Sequence, residues 1–288
     1  MGSLSGKVAV VTGASRGIGK GIAVALADEG ATVYVTGRTV ARGTSPLPGT
    51  IGETAAEVDR RGGKGIPVQV DHADLGQIAA LFEQVRRDQG RLDILVNNAI
   101  AIPAELTRPG AFWEKPLSNW EMIDVGLRSN FVAAWHAAQL MVPQRSGLIV
   151  ALSGYVGVTY TYSVIFGTCK TATDRMAHDM AIELKPYHVA SLSLWQGFTY
   201  TERAQENLRT VPGMASQLKS AAGTSVQFPG RIIAALAKDP GLMRRSGGTF
   251  INAELAQDYG ITDIDGRVIP SLRAERGSPI WMPVGDSR

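Results

Sequence analysis

A chain of 288 residues with 44% hydrophobic and 19% charged side chains has the size and apolar content of one large α/β domain, and this excludes a disordered polyelectrolyte. Its 29 basic and 26 acidic residues leave a net charge of +3 and are interspersed, with only short pairs such as Arg60-Arg61 and Arg244-Arg245, so no nucleic-acid partner is expected. The one cysteine, Cys169, excludes an intrachain disulfide and fits a reducing cytoplasm, and without a signal-type segment or a run of about 18 apolar residues no membrane association is expected.

The first predicted element is a buried parallel strand over the continuous apolar run 7–12 (KVAVVT). After a glycine-rich turn, Ile18, Ile22 and Leu26 recur at helical spacing up to Glu29, and Gly30 stops the helix. Residues 31–36 (ATVYVT) form a second buried strand, and 39–50 (TVARGTSPLPGT) read as a loop. A strand at 66–70 and a helix at 74–89, with Leu75, Ile78, Phe82 and Val85 on one face, come next. They lead to a strand at 92–96, a proline-rich loop at 100–116, a long helix at 117–142 and a strand at 147–152. A helix at 163–185, a strand at 189–195, helices at 201–221 and 226–238, and a short strand at 248–252 complete the pattern, with an irregular tail from about 253. This alternation implies a doubly wound parallel sheet, a three-layer αβα Rossmann fold, in a single domain over 1–288 with its core at about 5–252.

The turn between the first strand and helix carries the first functional signal. In Thr12-Gly13-Ala14-Ser15-Arg16-Gly17-Ile18-Gly19, Gly13 allows a tight turn, while Gly17 and Gly19 remove side chains where backbone meets a pyrophosphate and where helix packs on strand. The helix start adds backbone N–H groups and a partial positive charge. A carboxylate at the end of the second strand would hold the ribose diol of NAD, but this chain has Thr36-Gly37-Arg38 there. Arg38 and Arg16 suit a ribose 2′-phosphate, so NADP(H) is favoured over NAD(H).

At these residues the chain resembles the short-chain dehydrogenase/reductase superfamily over about 5–252. Residues 12–19 match the family's TGxxxGxG turn, Asp71 with His72 following matches the adenine-contacting position, and Asn97-Asn98-Ala99 matches its NNA(G) motif with Ile100 for the glycine. Within the superfamily it resembles a subgroup like dehydrogenase/reductase member 1, through ATVYVTGR at 31–38, FWEKP at 112–116, VGLR at 125–128 and SLWQG at 193–197. The resemblance implies NADPH-linked chemistry on a carbonyl or alcohol of a small lipophilic molecule. It further implies a homodimer or homotetramer packed through the helices at 117–142 and 163–185 and the last strand. Gly13, Ser15, Arg16, Gly17, Ile18, Gly19, Arg38, Asp71, His72, Asn97, Ala99, Lys170, Gly197, Thr199 and Thr201 are the implied cofactor-binding positions.

Ser153 and Lys170 match the family's catalytic serine and lysine in spacing. Hydride transfer to a carbonyl leaves an oxyanion that needs hydrogen bonds and then a proton. In the family a tyrosine one helical turn before the lysine supplies it, and here that position is Phe166, thirteen residues after Ser153. Tyr162 is the nearest substitute in sequence, and Tyr155, Tyr162, Trp195 and Phe198 are candidate substrate-lining residues. Gly126 stands where the family has a relay asparagine, and Gln196 where it usually has proline. The four histidines have no metal-ligand spacing, so no metal site is expected. Two functions compete: an NADP(H)-dependent oxidoreductase lacking the usual phenol, and a catalytically impaired or non-catalytic NADP(H)-binding protein.

Overall fold

Val8–Val11 (β1) is buried at all four positions and pairs in parallel with Thr32–Gly37 (β2), Val8 opposite Thr32 and Val11 opposite Val35. β2 pairs in parallel with Lys64–Gln69 (β3), and Ile94–Asn97 (β4) with Gly147–Gly154 (β5). With Val189–Gln196 (β6) and Thr249–Ile251 (β7), the strands form a seven-stranded sheet in the order β3-β2-β1-β4-β5-β6-β7, flanked by helices. The α/β doubly wound fold expected from the alternation is the one observed. This is a computed structural model, and it describes residues 2–210 and 223–285.

Within the described residues the chain gathers into two compact units. Each is discontinuous in sequence: Met1–Val70, Gln196–Leu242 and Ile251–Leu272 in the first, and Asp71–Trp195, Met243–Phe250 and Arg273–Arg288 in the second. In the first unit, Gly17–Asp28 (α1) buries Ile22, Leu26 and a run of small residues. It approaches Phe228–Lys238 (α7) so closely that a Cβ on Gly21 would lie 1.9 Å from the Val226 carbonyl oxygen, and one on Gly230 2.7 Å from Ile22 Cα. Ile51–Arg60 (α2) was not expected from the proline- and glycine-rich sequence before it. Its apolar spacing, Ile51, Thr54, Ala55 and Val58, is nonetheless helical, and Thr50 caps it by accepting from the Glu53 amide.

In the second unit, Leu75–Gln89 (α3) starts at Asp74, whose carboxylate accepts from the Gly76 and Gln77 amides. The long helix expected at 117–142 is present as a continuous helical run over 117–144 whose hydrogen bonding varies along its length. It opens as a 3₁₀ turn at Leu117–Trp120 and an α turn at Glu121–Ile123, widens to a π turn at Asp124–Arg128 and continues as Ser129–Gln144 (α4). Val164–Leu184 (α5) is capped by Ser163, whose hydroxyl accepts from the Phe166 amide. The tail is also more regular than expected: Asn252–Asp258 (α8) is helical in the first unit. Farther on, the tail covers the sheet edge at β7, the Thr249 amide donating to the Trp281 carbonyl and the Val284 amide to Ser246. Of the helix expected at 201–221, Glu202–Thr210 (α6) is observed and 211–221 lies outside the described residues.

Candidate functional site

In the first unit the glycine turn is built as its sequence suggests. Gly13 and Gly17 adopt left-handed φ values of 65° and 58°. The Ala14 amide donates to the Thr36 carbonyl at 2.7 Å, tying the turn to the end of β2. Ser15 and Gly19 are buried and Ile18 is half-buried. The amide of Gly17, the first residue of α1, donates to Glu202 Oε2 at 2.9 Å. An anionic oxygen therefore already rests on this helix start, so the turn fits an anion such as a dinucleotide diphosphate.

Arg16 is held in place by the loop that follows β2. Its Nε donates to the Pro48 carbonyl at 2.8 Å, and its Nη2 donates to the Gly49 carbonyl at 2.8 Å and to Thr39 Oγ1 at 3.1 Å. The guanidinium thus anchors loop 39–50 as well as adding charge. Burial pushes the Arg16 pKa down, Glu202 pulls it back up, and the positive charges of Arg203 and Arg38 press it down further. Arg38 is exposed. Between the loop and α2 lies a cavity of about 830 Å³ whose walls include Lys20, Arg42, Pro48, Arg60 and Glu202. On the segment after β6, Gly197 is exposed and Thr199 is buried, its hydroxyl 3.2 Å from that of Thr224. Phe198 stacks edge-on against Tyr200, and Gln196 Oε1 accepts from Asn252 Nδ2 at 2.7 Å. Thr201 caps α6 through the Ala204 amide.

In the second unit β5 leads by a short turn into α5. Lys170 Nζ donates to the Leu152 carbonyl at 2.7 Å, and Ser153 Oγ donates back to the Lys170 carbonyl at 3.2 Å. Ser153 is only 4% exposed, so its hydroxyl is turned into the fold. Successive strand residues face opposite sides, and the next position on β5 is Gly154, which has no side chain. Below this pair sits Asp174, a buried carboxylate that accepts from Ser193 Oγ and, at 2.8 Å, from Trp195 Nε1. Sequence reasoning missed Asp174. Its position four residues after Lys170, one helical turn on, was the available signal. Burial raises the Asp174 pKa against the pull of its bonds to Ser193, Trp195 and Ser153 and the charge of Lys170. Burial also lowers the Lys170 pKa, opposed by Cys169 and Asp174.

Phe166 packs on an apolar cluster of Leu106, Met122 and Cys169, together with Ile100, Ile102, Ile123, Leu127 and Ile165. The two departures at Ile100 and Gly126 pack against each other. A Cβ on Gly126 would lie 2.8 Å from Ile100 Cγ1 and 3.1 Å from Cys169 Sγ, so the isoleucine fills the space an asparagine side chain would need. Asn130 Nδ2 donates to the Gly126 carbonyl at 2.7 Å, and Asn97 Nδ2 to the Asn130 carbonyl at 2.9 Å. Ala99 and His72 are buried, and Asp71 Oδ1 accepts from the Ala73 amide.

The candidate aromatic residues divide. Trp195 is 1% exposed, with its indole N–H spent on Asp174, and Tyr155 lies edge-on to it at 5.2 Å. Both are core residues rather than the pocket wall expected of them. Tyr162 is 40% exposed and sits at φ 65°, a region that costs a bulky residue energy, with its carbonyl held by Lys115 Nζ. Cys169 is fully buried, and burial raises its pKa, so it is an inert packing residue. Among the described residues no three of His, Cys, Asp and Glu gather as a metal site, and no helix is long and apolar enough to cross a membrane.

Comparison with known proteins identifies the family. The family profile described as short chain dehydrogenase matches residues 7–211. The human protein "Dehydrogenase/reductase SDR family member 1" is 41% identical over 276 residues, covering 92% of this chain and 86% of its own length. A 1-cyclohexenylcarbonyl-CoA reductase of Streptomyces collinus is 29% identical, covering 98% of this chain and 95% of its own. The crystal structure of a short-chain type dehydrogenase/reductase from Mycobacterium marinum superimposes with a TM-score of 0.74 at 25% identity, covering 86% of this chain and 94% of that one. The chain belongs to the short-chain dehydrogenase/reductase family of oxidoreductases and is similar throughout most of its length to dehydrogenase/reductase member 1.

Proposed function

We propose that this family member binds NADP(H) and exchanges hydride with an electron-poor carbon of a small lipophilic molecule, at a site stripped of the usual hydroxyl donors. The observation that carries the reading is Lys170, an amine kept where burial disfavours its charge, with Leu152 O as its hydrogen-bond acceptor. A merely structural position would favour an apolar residue there. Bound NADP(H) supplies the hydride. Gly13, Ser15, Gly17, Ile18 and Gly19 hold the diphosphate, Arg38 with Arg16 the 2′-phosphate, and Asp71 and His72 the adenine. Asn97, Ala99, Gly197, Thr199 and Thr201 complete the cofactor contacts, and Lys170 gives positive charge to ribose hydroxyls. The apolar surroundings of Phe166 suit a lipophilic substrate. The streptomycete relative is named for reduction of an unsaturated acyl-CoA, so conjugated acyl groups belong in the substrate panel beside ketones and aldehydes. This reading takes residues 1–288 as one Rossmann domain acting in the cytoplasm, where a buried lone thiol such as Cys169 stays reduced.

Calorimetry tests the cofactor assignment. NADPH should bind more tightly than NADH, and Arg38→Glu should weaken NADPH by about 10–100-fold with little change for NADH. Absence of binding by either nucleotide at millimolar concentration would sink the assignment. A second reading, a protein that binds NADP(H) without turning it over, is favoured by the inward hydroxyl of Ser153.

Assembly is part of the same proposal. Phe131 and Trp135, one turn apart on α4, are 51% and 55% exposed, and Ile182 on α5 is 55% exposed. Apolar side chains displayed on these two helices suit a homodimer or homotetramer. Light scattering should find an oligomer that Phe131→Ser with Trp135→Ser converts to monomers; a monomeric wild type would refute this part.

A further inference from the structure

Glu202 reaches the start of α1 from 185 residues away, and its carboxylate holds the Gly17 amide at 2.9 Å. The residue before the helix, Arg16, provides no side-chain cap, so this carboxylate does. Its surroundings are more cationic than a cap requires. Arg16 lies within electrostatic range of Glu202 and also of the guanidinium groups of Arg203 and Arg38, so the carboxylate acts in a cationic neighbourhood. Such a neighbourhood leaves attraction for an anion carrying more charge than a single carboxylate.

We propose that Glu202 is an internal competitor for the diphosphate: it occupies the helix start and is displaced by the dinucleotide, so it sets how much negative charge a ligand must bring. The inference rests on the reading that this turn binds NADP(H). A tethered carboxylate is present at high effective concentration, so weak monoanions do not dislodge it. A diphosphate with an additional 2′-phosphate engages the helix start and the guanidinium groups together, and it does. The displaced side chain has somewhere to go. Glu202 already lines the cavity beside the loop, whose other walls include Lys20, Arg42 and Arg60. Release is a side-chain rotation, because the backbone is held nearby by the Thr199–Thr224 bridge and by the Tyr200 amide donating to the Thr224 carbonyl at 3.0 Å. Glu202 was not singled out in the sequence, where nothing links it to Gly17.

Glu202→Gln keeps an uncharged acceptor for the Gly17 amide, and Glu202→Ala removes the acceptor; circular dichroism melts verify that both variants fold. Calorimetry with NADPH, NADH and inorganic pyrophosphate on the wild type and both variants then tests competition. NADPH should bind each variant about tenfold more tightly than wild type. Pyrophosphate should also bind the variants more tightly than the wild type. Equal or weaker NADPH and pyrophosphate binding by the variants would overturn the proposal, leaving Glu202 a plain helix cap. If pyrophosphate separates the variants from wild type while neither nucleotide binds any of them, competition at the helix start stands and the cofactor assignment falls.

Discussion

Phe166→Tyr combined with Gly154→Ser should raise NADPH-linked turnover of a carbonyl panel by about 10²–10⁴-fold over wild type, the usual worth of a positioned general acid. Either change alone should give less. The register of α5 supports the first substitution: Ser163 caps the helix through the Phe166 amide, and Lys170 follows one turn later. Phenylalanine there keeps a ring among Leu106, Met122 and Cys169 but has no proton to give. The second substitution follows from the strand. Ser153 spends its hydroxyl on the Lys170 carbonyl, so a donor on the opposite face of β5 has to come from position 154. Gly154 is extended, at φ −179° and ψ 173°, a conformation any residue adopts. Tyr162→Phe is the companion variant. If wild type already turns over and Tyr162→Phe abolishes this, then the exposed tyrosine is the acid and the site is not stripped. A silent wild type with an active double variant would establish the non-catalytic reading. NADPH binding with no turnover by any variant would refute hydride transfer.

Much of the fold was legible because buried parallel strands are continuous apolar runs: 7–12 contains Val8–Val11, and 147–152 lies within Gly147–Gly154. The tight turn after β1 was legible because its glycines do local work: Gly13 and Gly17 take the positive φ values that the turn requires. What was missed depends on contacts that no local pattern records. Counting thirteen residues back from Phe166 reached Ser153, but a count cannot tell which of two adjacent strand residues faces inward, and a one-residue shift reverses the face. Trp195, a candidate lining residue in the sequence, gives its indole N–H to Asp174 across 21 residues, a contact that fixes it in the core. Gly126 and Ile100 looked like two separate departures, and only their packing shows that one fills the space of the other. The π turn inside the helix expected at 117–142 was not legible, because its wider hydrogen bonding leaves the apolar periodicity nearly intact.

Asp174→Ala should cost about 3–5 kcal/mol, the range for removing one member of a buried charged network. The melting temperature should fall by roughly 10 °C for a chain of this size. Ser193 can turn its hydroxyl elsewhere, but the indole N–H of Trp195, 1% exposed, loses its acceptor. Lys170 loses a neighbour that favours its charge, so its already lowered pKa should fall further. Asp174→Asn should cost much less, because the amide oxygen can accept from Trp195 while the amide nitrogen donates to Ser193. It also isolates the charge. Burial holds the Asp174 pKa above its ordinary value of 3.8, so the folded chain binds this proton more tightly than the unfolded chain does. The stabilisation it brings is complete below about the unfolded value and is lost as pH rises through the folded one. Melting temperatures measured across that window should therefore show a falling component in wild type that is missing from Asp174→Asn. Identical pH profiles for the two proteins, or an Asp174→Ala variant that melts with wild type, would mean that this carboxylate does not organise the β5–α5 junction on which Lys170 depends.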